Sequence, residues 1–118
     1  MYGLPPDFDP SAFVGKTLDQ VAFSANTVHL TFDDNSSITL LSSFAYKHAG
    51  ELLEEGVVPV SESRLMQLVA KIVTGGEVLD RGTLVLHFEE KRSLYCFEDA
   101  TAYESYWITL GRAERVIV

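Results

Sequence analysis

The chain has a single cysteine, Cys96, among its 118 residues. An internal disulfide is therefore excluded, and the usage fits a reducing compartment. Proline is scarce. Three of the four, Pro5, Pro6 and Pro10, fall in the first ten residues and forbid a regular helix there. Residues 1–12 read as an extended lead-in. That lead-in has no basic residue and no apolar stretch of the signal-peptide kind. Apolar runs such as Leu68–Ala70 are short, so no segment is expected to span a bilayer as a helix. The expected location is the cytoplasm. Metal-ligand spacing is missing too. His29, His48 and His87 stand apart, with no His-Xaa-Xaa-Xaa-His or Cys-Xaa-Xaa-Cys pattern. No metal and no cofactor is expected. Positive charge is the last shortage: nine Lys and Arg face seventeen Asp and Glu, for a net charge of −8. Such a surface repels phosphate backbones and speeds encounter with a basic partner. No nucleic acid or membrane partner is expected.

What is present is ordinary globular composition, 47% hydrophobic and 22% charged, in a length suited to one domain. Leu18, Val21 and Phe23 mark a first strand. Val28, Leu30 and Phe32 alternate with His29 and Thr31 in a second, and Ile38 and Leu40 flank Thr39 in a third. Asp33-Asp34-Asn35-Ser36 supplies a turn. Fifty-six residues later the pattern returns. Residues 27–41 align without gaps onto 83–97, with Thr27/Thr83, Leu30/Leu86, Phe32/Phe88 and Ser37/Ser93 identical and Asp33-Asp34 replaced by Glu89-Glu90. One hairpin is used twice, and two similar sheet halves sharing one core are expected.

Between the copies, Phe44 to Glu55 is the least regular stretch and reads as a loop or a short helix. Ser61 or Ser63 can cap a helix over about 61–71, with Leu65, Leu68, Val69 and Ile72 as its apolar stripe. Gly75-Gly76 marks a bend or bulge. After the second hairpin, Tyr106, Ile108 and Leu110 share one strand face, Gly111-Arg112 turns the chain, and Val116–Val118 forms a last strand. The expected class is α+β, mainly antiparallel β: two three-stranded meanders with one helix between them.

Nothing in this pattern assembles into catalytic chemistry. Cys96 matches Leu40 in the duplication and should point inward as a small hydrophobe. Val14-Gly15-Lys16-Thr17 lacks the first glycine of a phosphate loop, because Pro10 stands there. The acid pairs Asp33-Asp34, Glu54-Glu55 and Glu89-Glu90 sit at turns or in the polar stretch. They read as solvated charge or as an acidic recognition patch. Trp107 lies between Ser105 and Thr109 on the more polar face of its strand, where it could anchor a partner.

The stretch Tyr103-Glu104-Ser105-Tyr106-Trp107-Ile108, with Leu68–Val73 and Gly82–Phe88 before it, resembles a family of small bacterial proteins of unknown function. Those proteins look like a duplicated strand and hairpin ending in a Tyr-Glu-Xaa-Trp/Tyr-Xaa-Ile signature. The likeness covers roughly residues 14–44 and 65–110. Two positions depart from it: Tyr106 stands where Trp is common, and Ala70 where Gly is usual. Some such proteins are similar to immunity proteins of toxin systems. The resemblance implies no catalytic residue, and structural or interface roles for Tyr103 and Glu104. The functional expectation is an immunity protein that blocks a basic bacterial toxin domain through Asp33, Asp34, Glu54, Glu55, Glu89, Glu90 and Trp107. The alternatives are a homodimeric module, or a small-ligand binder with a deep pocket lined by His29 or His87 beside a carboxylate.

Overall fold

The computed structural model describes residues 8–58, 63–80, 82–98, 105–110 and 114–117. Ten strands run in order: β1 (Leu18–Phe23), β2 (Val28–Phe32), β3 (Ser37–Leu40), β4 (Ser43–His48), β5 (Glu51–Val57), β6 (Val73–Leu79), β7 (Thr83–Phe88), β8 (Arg92–Cys96), β9 (Tyr106–Leu110) and β10 (Glu114–Ile117). They form two antiparallel five-stranded sheets, β1-β2-β3-β9-β10 and β5-β4-β8-β7-β6. Alternation explains the register. Val28, Leu30 and Phe32 of β2, Ile38 and Leu40 of β3, and Tyr106 and Ile108 of β9 all turn inward. Phe44, Tyr46, Leu84, Leu86, Phe88, Leu94 and Cys96 do the same from the second sheet, and both sets join one core. The two sheets therefore pack face to face.

Both expected meanders exist, β1-β2-β3 and β6-β7-β8, and the aligned hairpins are β2-β3 and β7-β8. Each meander is completed by a hairpin from the other half of the chain. β9-β10 joins β3, and β4-β5 joins β8. The two junctions are built alike. Leu40 lies opposite Tyr106, and its counterpart Cys96 lies opposite Phe44. The Leu41 amide donates to the Ser105 carbonyl at 3.0 Å, and the Phe97 amide to the Ser43 carbonyl at 3.2 Å. An approximate twofold axis thus relates the halves, and it passes through the bridge between Thr17 and Ile72. Backbone hydrogen bonds flank that bridge in matched pairs: Leu18 N–H to Lys71 O (3.0 Å) with Val73 N–H to Lys16 O (2.8 Å), and Ala70 N–H to Leu18 O (2.7 Å) with Gly15 N–H to Val73 O (2.8 Å).

Three expectations are corrected. The helix over 61–71 is a five-residue 3-10 helix, Arg64–Leu68, so the chain is an antiparallel β protein and not α+β; residues 61 and 62 lie outside the described residues. Ser63 caps it, its Oγ accepting from the Leu65 amide at 3.1 Å. The segment stops after Leu68 because residues from Val73 onward are drawn into β6, and Val69 is already extended. Phe44 to Glu55 is not a loop or helix but most of the β4-β5 hairpin. Its period-2 signal is hidden because Ala45, on the outer face, is buried as well, and a register shift after Tyr46 breaks the alternation of β5. The described part of the lead-in is not extended: residues 10–15 turn repeatedly and bury Phe13, as the matching 3-10 segment buries Leu68.

The lead-in also explains one glycine. A Cβ at Gly76 would stand 1.9 Å from the Pro10 carbonyl oxygen, so this turn lies directly on β6. Gly75 forms part of the expected bulge, opposite His87, where the register shifts after Val73.

Candidate functional site

Four of the seven expected contact residues meet around the twofold axis. The Asp33 carboxylate accepts from the Thr17 amide at 3.4 Å, and its counterpart Glu89 accepts from the Ile72 amide at 3.1 Å. Their own amides return the contact to Thr17 O and Ile72 O, both at 3.0 Å. Asp34 pairs with Lys16, and its counterpart Glu90 with Lys71 at 3.5 Å. The Lys16 hydrogen bond holds the Asp34 carboxyl down at about 2, with the Ser36 amide adding to it against a smaller opposing effect of burial. Lys71, then Arg92, holds Glu90 below the usual carboxylate range. The two acid pairs thus act as matched clamps, each tying the hairpin turn of its own half to the segment that bridges to the other half, with partners inside the chain.

The other three lie elsewhere. Glu54 accepts from Ser63 Oγ at 2.9 Å and from the Arg64 amide at 2.6 Å, which fixes the start of the 3-10 helix. Glu55 is exposed on β5, opposite Ala45. Trp107 is half-buried on β9, between Thr39 and Ile117 in the outer row of the first sheet. His29 is next in that row, its ring 2.6 Å from Thr39 Oγ1. Cys96 is fully buried, and burial pushes its thiol up to about 12. Tyr103 and Glu104 lie outside the described residues.

A cleft of about 510 Å³ opens beside the β7-β8 turn, lined in part by Thr74, His87, Glu89, Lys91, Arg92 and Ser93. It has one of the two expected histidines, His87, with carboxylates close by, but it is an open cleft and not the deep pocket expected. His87 sits between two partners: Ser93 Oγ lies 2.9 Å from Nδ1, and Glu77 Oε2 lies 2.7 Å from Nε2. A carboxylate only accepts, so the proton is on Nε2, and the Ser93 hydroxyl donates to Nδ1. Beside this array, Arg92 donates to Tyr46 Oη, which in turn donates to Gln67 Oε1 at 3.0 Å. Tyr46 raises the guanidinium above its already high value. Sequence reading left Glu77, Ser93 and Arg92 unmarked. The turn gave one available signal: once Glu89–Lys91 is the turn, His87 must face Ser93. No group of three potential metal ligands occurs among the described residues, and no helix there is long and apolar enough to cross a membrane.

Fold and site together define a duplicated antiparallel β-sandwich with an axis of paired charges and a cleft beside the β7-β8 turn. The chain belongs to a family of unknown function (DUF6188), whose model matches residues 10–118. Comparison with curated proteins and with solved structures finds no match.

Proposed function

We propose that this chain is a binding protein of the immunity type, which meets a basic bacterial toxin domain in the cytosol and covers its working cleft. Trp107 carries the reading: it is the chain's only tryptophan, and it stands half-buried on the outer face of a sheet instead of in the core. Aromatic anchors of this kind dominate protein interfaces. The net charge of −8 favours a basic partner. The contact surface is narrower than the sequence implied. Asp33, Asp34, Glu89 and Glu90 are engaged inside the chain, and Glu54 holds the 3-10 helix. Trp107 and the exposed Glu55 remain as contacts.

The test is a pull-down from the native bacterium with this protein as bait. A stoichiometric basic protein, toxic when expressed alone, is the expected catch. Trp107→Ala should weaken that complex at least tenfold, and Glu55→Lys should slow its association. Full binding by both variants rejects these contacts. Recovery of the bait alone favours the homodimeric module.

A second reading, a small-ligand site, is favoured by one observation, the cleft beside His87.

A further inference from the structure

An internal duplication offers a control that most folds lack. Whatever the fold itself requires should appear in both copies. A group present in one copy only serves something else. The clamps pass this comparison, since Asp33 matches Glu89 and Lys16 matches Lys71. The array at the edge of the cleft, Glu77, His87 and Ser93, does not. By strand register, Glu77, His87 and Ser93 correspond to Ala22, Thr31 and Ser37. The first copy keeps the serine but has neither histidine nor carboxylate beside it.

We propose that Glu77, His87 and Ser93 form a nucleophilic site, in which Ser93 takes an acyl group from a small carboxylic ester. A nucleophile, a base within hydrogen-bond reach and a third group orienting the base make up the pattern this chemistry needs. The separations of 2.9 and 2.7 Å lie in that range. The three side chains come from three neighbouring strands, β6, β7 and β8, whose ladder fixes their spacing. His87 and Ser93 line the cleft, whose volume of about 510 Å³ suits a small substrate.

The same wall carries Lys91, which has no ion-pair partner among the described residues. Its backbone is left-handed, at φ 60°, in the place where the first copy has Asn35 at φ 71°. Asparagine tolerates that conformation better than lysine does. The second copy therefore accepts backbone strain and gains a cation at the mouth of the cleft.

The step is balanced. Ser93 Oγ bonds to the acyl carbon as its proton passes to His87 Nδ1, and Glu77 stabilises the imidazolium through Nε2–H. The carbonyl electrons move onto oxygen near Lys91. They return as the C–O bond breaks, and the departing alkoxide takes the proton from His87. Water, deprotonated by His87, then releases the acid and restores Ser93. This inference is independent of the toxin reading, which uses the Trp107 face.

The experiment treats the full chain with an alkyl fluorophosphonate, which bonds phosphorus to an activated serine oxygen and loses fluoride. Peptide mass spectrometry locates the adduct. One adduct on Ser93 is expected, absent in Ser93→Ala and unchanged in Ser37→Ala. His87→Gln should slow labelling about 100-fold, the scale of general-base catalysis. Glu77→Gln should slow it less, and p-nitrophenyl acetate hydrolysis should fall in the same order. Cys96 protection from thiol reagents confirms that each variant is folded, and Glu77→Gln on the exposed β6 serves if His87→Gln is not. No adduct on the wild-type chain, an adduct elsewhere, or Ser93 labelling indifferent to both His87→Gln and Glu77→Gln overturns the proposal.

Discussion

Gly15 and Ala70 hold equivalent places in the two copies, and both are left-handed, at φ 89° and 74°. An alanine there costs about 1 kcal/mol that glycine does not. Ala70→Gly should therefore stabilise the protein by about 0.5 kcal/mol, once the greater freedom of unfolded glycine is subtracted. Gly15→Ala should destabilise it by about 0.5 kcal/mol on the same balance, through backbone strain and not crowding, because no other atom lies within 4 Å of the added Cβ. Urea denaturation measures both. Asp34 permits a pH argument. Its folded value of about 2 lies below the ordinary 3.8, so its contribution is full above 3.8 and is lost as pH falls toward 2. Glu90 is lowered too and acts in the same direction. Both side chains are well exposed, so screening keeps the effect small. Stability measured from pH 5 down to pH 2 should fall less steeply in Asp34→Asn than in the wild type. At this scale the sequence marked the acid pairs as solvated charge or a recognition patch and did not reveal their partners inside the chain. A carboxylate's partner depends on tertiary register, and Lys16 and Lys71 lie well away from the turns they bind.

Among elements, the hairpins were legible and the connections were not. Alternation marks β2, β3, β7 and β8 locally, since every second side chain meets the core. β4 and β5 escaped notice because their pairing is set by β8, nearly fifty residues away, and a bulge breaks the period. The expected helix failed for a related reason: of its apolar stripe, Leu65 and Leu68 are buried by the 3-10 helix, while Ile72 belongs to the isolated bridge with Thr17 and is exposed. The lead-in against β6 yields a sharp prediction. Gly76→Ala must push the Pro10 segment away and should cost about 2 kcal/mol, the usual scale of overpacking. Gly75→Ala meets only His87 carbons, at 3.8 and 3.9 Å, and should cost far less. Limited proteolysis should cut near residues 9–15 in the first variant and not in the second.

Over the whole molecule, the exchanged hairpins remove any boundary between the halves. Each sheet contains strands from both, so neither half can open and leave a complete sheet behind. Unfolding should be a single transition. Two native probes can check it: Trp107 in the first sheet, by fluorescence, and Cys96 in the second, by thiol labelling. Cys96 is fully buried, so its reaction should require global opening and return the same free energy as the tryptophan signal. A lower value from Cys96 would show that the second sheet opens alone. The exchange also governs the order of events during synthesis. The strand β3 leaves the ribosome before its neighbour β9, and every strand of the second sheet lies between them in sequence. Until then a nascent chain carries a three-stranded meander with a bare inner edge and an uncovered apolar face, which is the kind of surface that chaperones recognise and that aggregates trap.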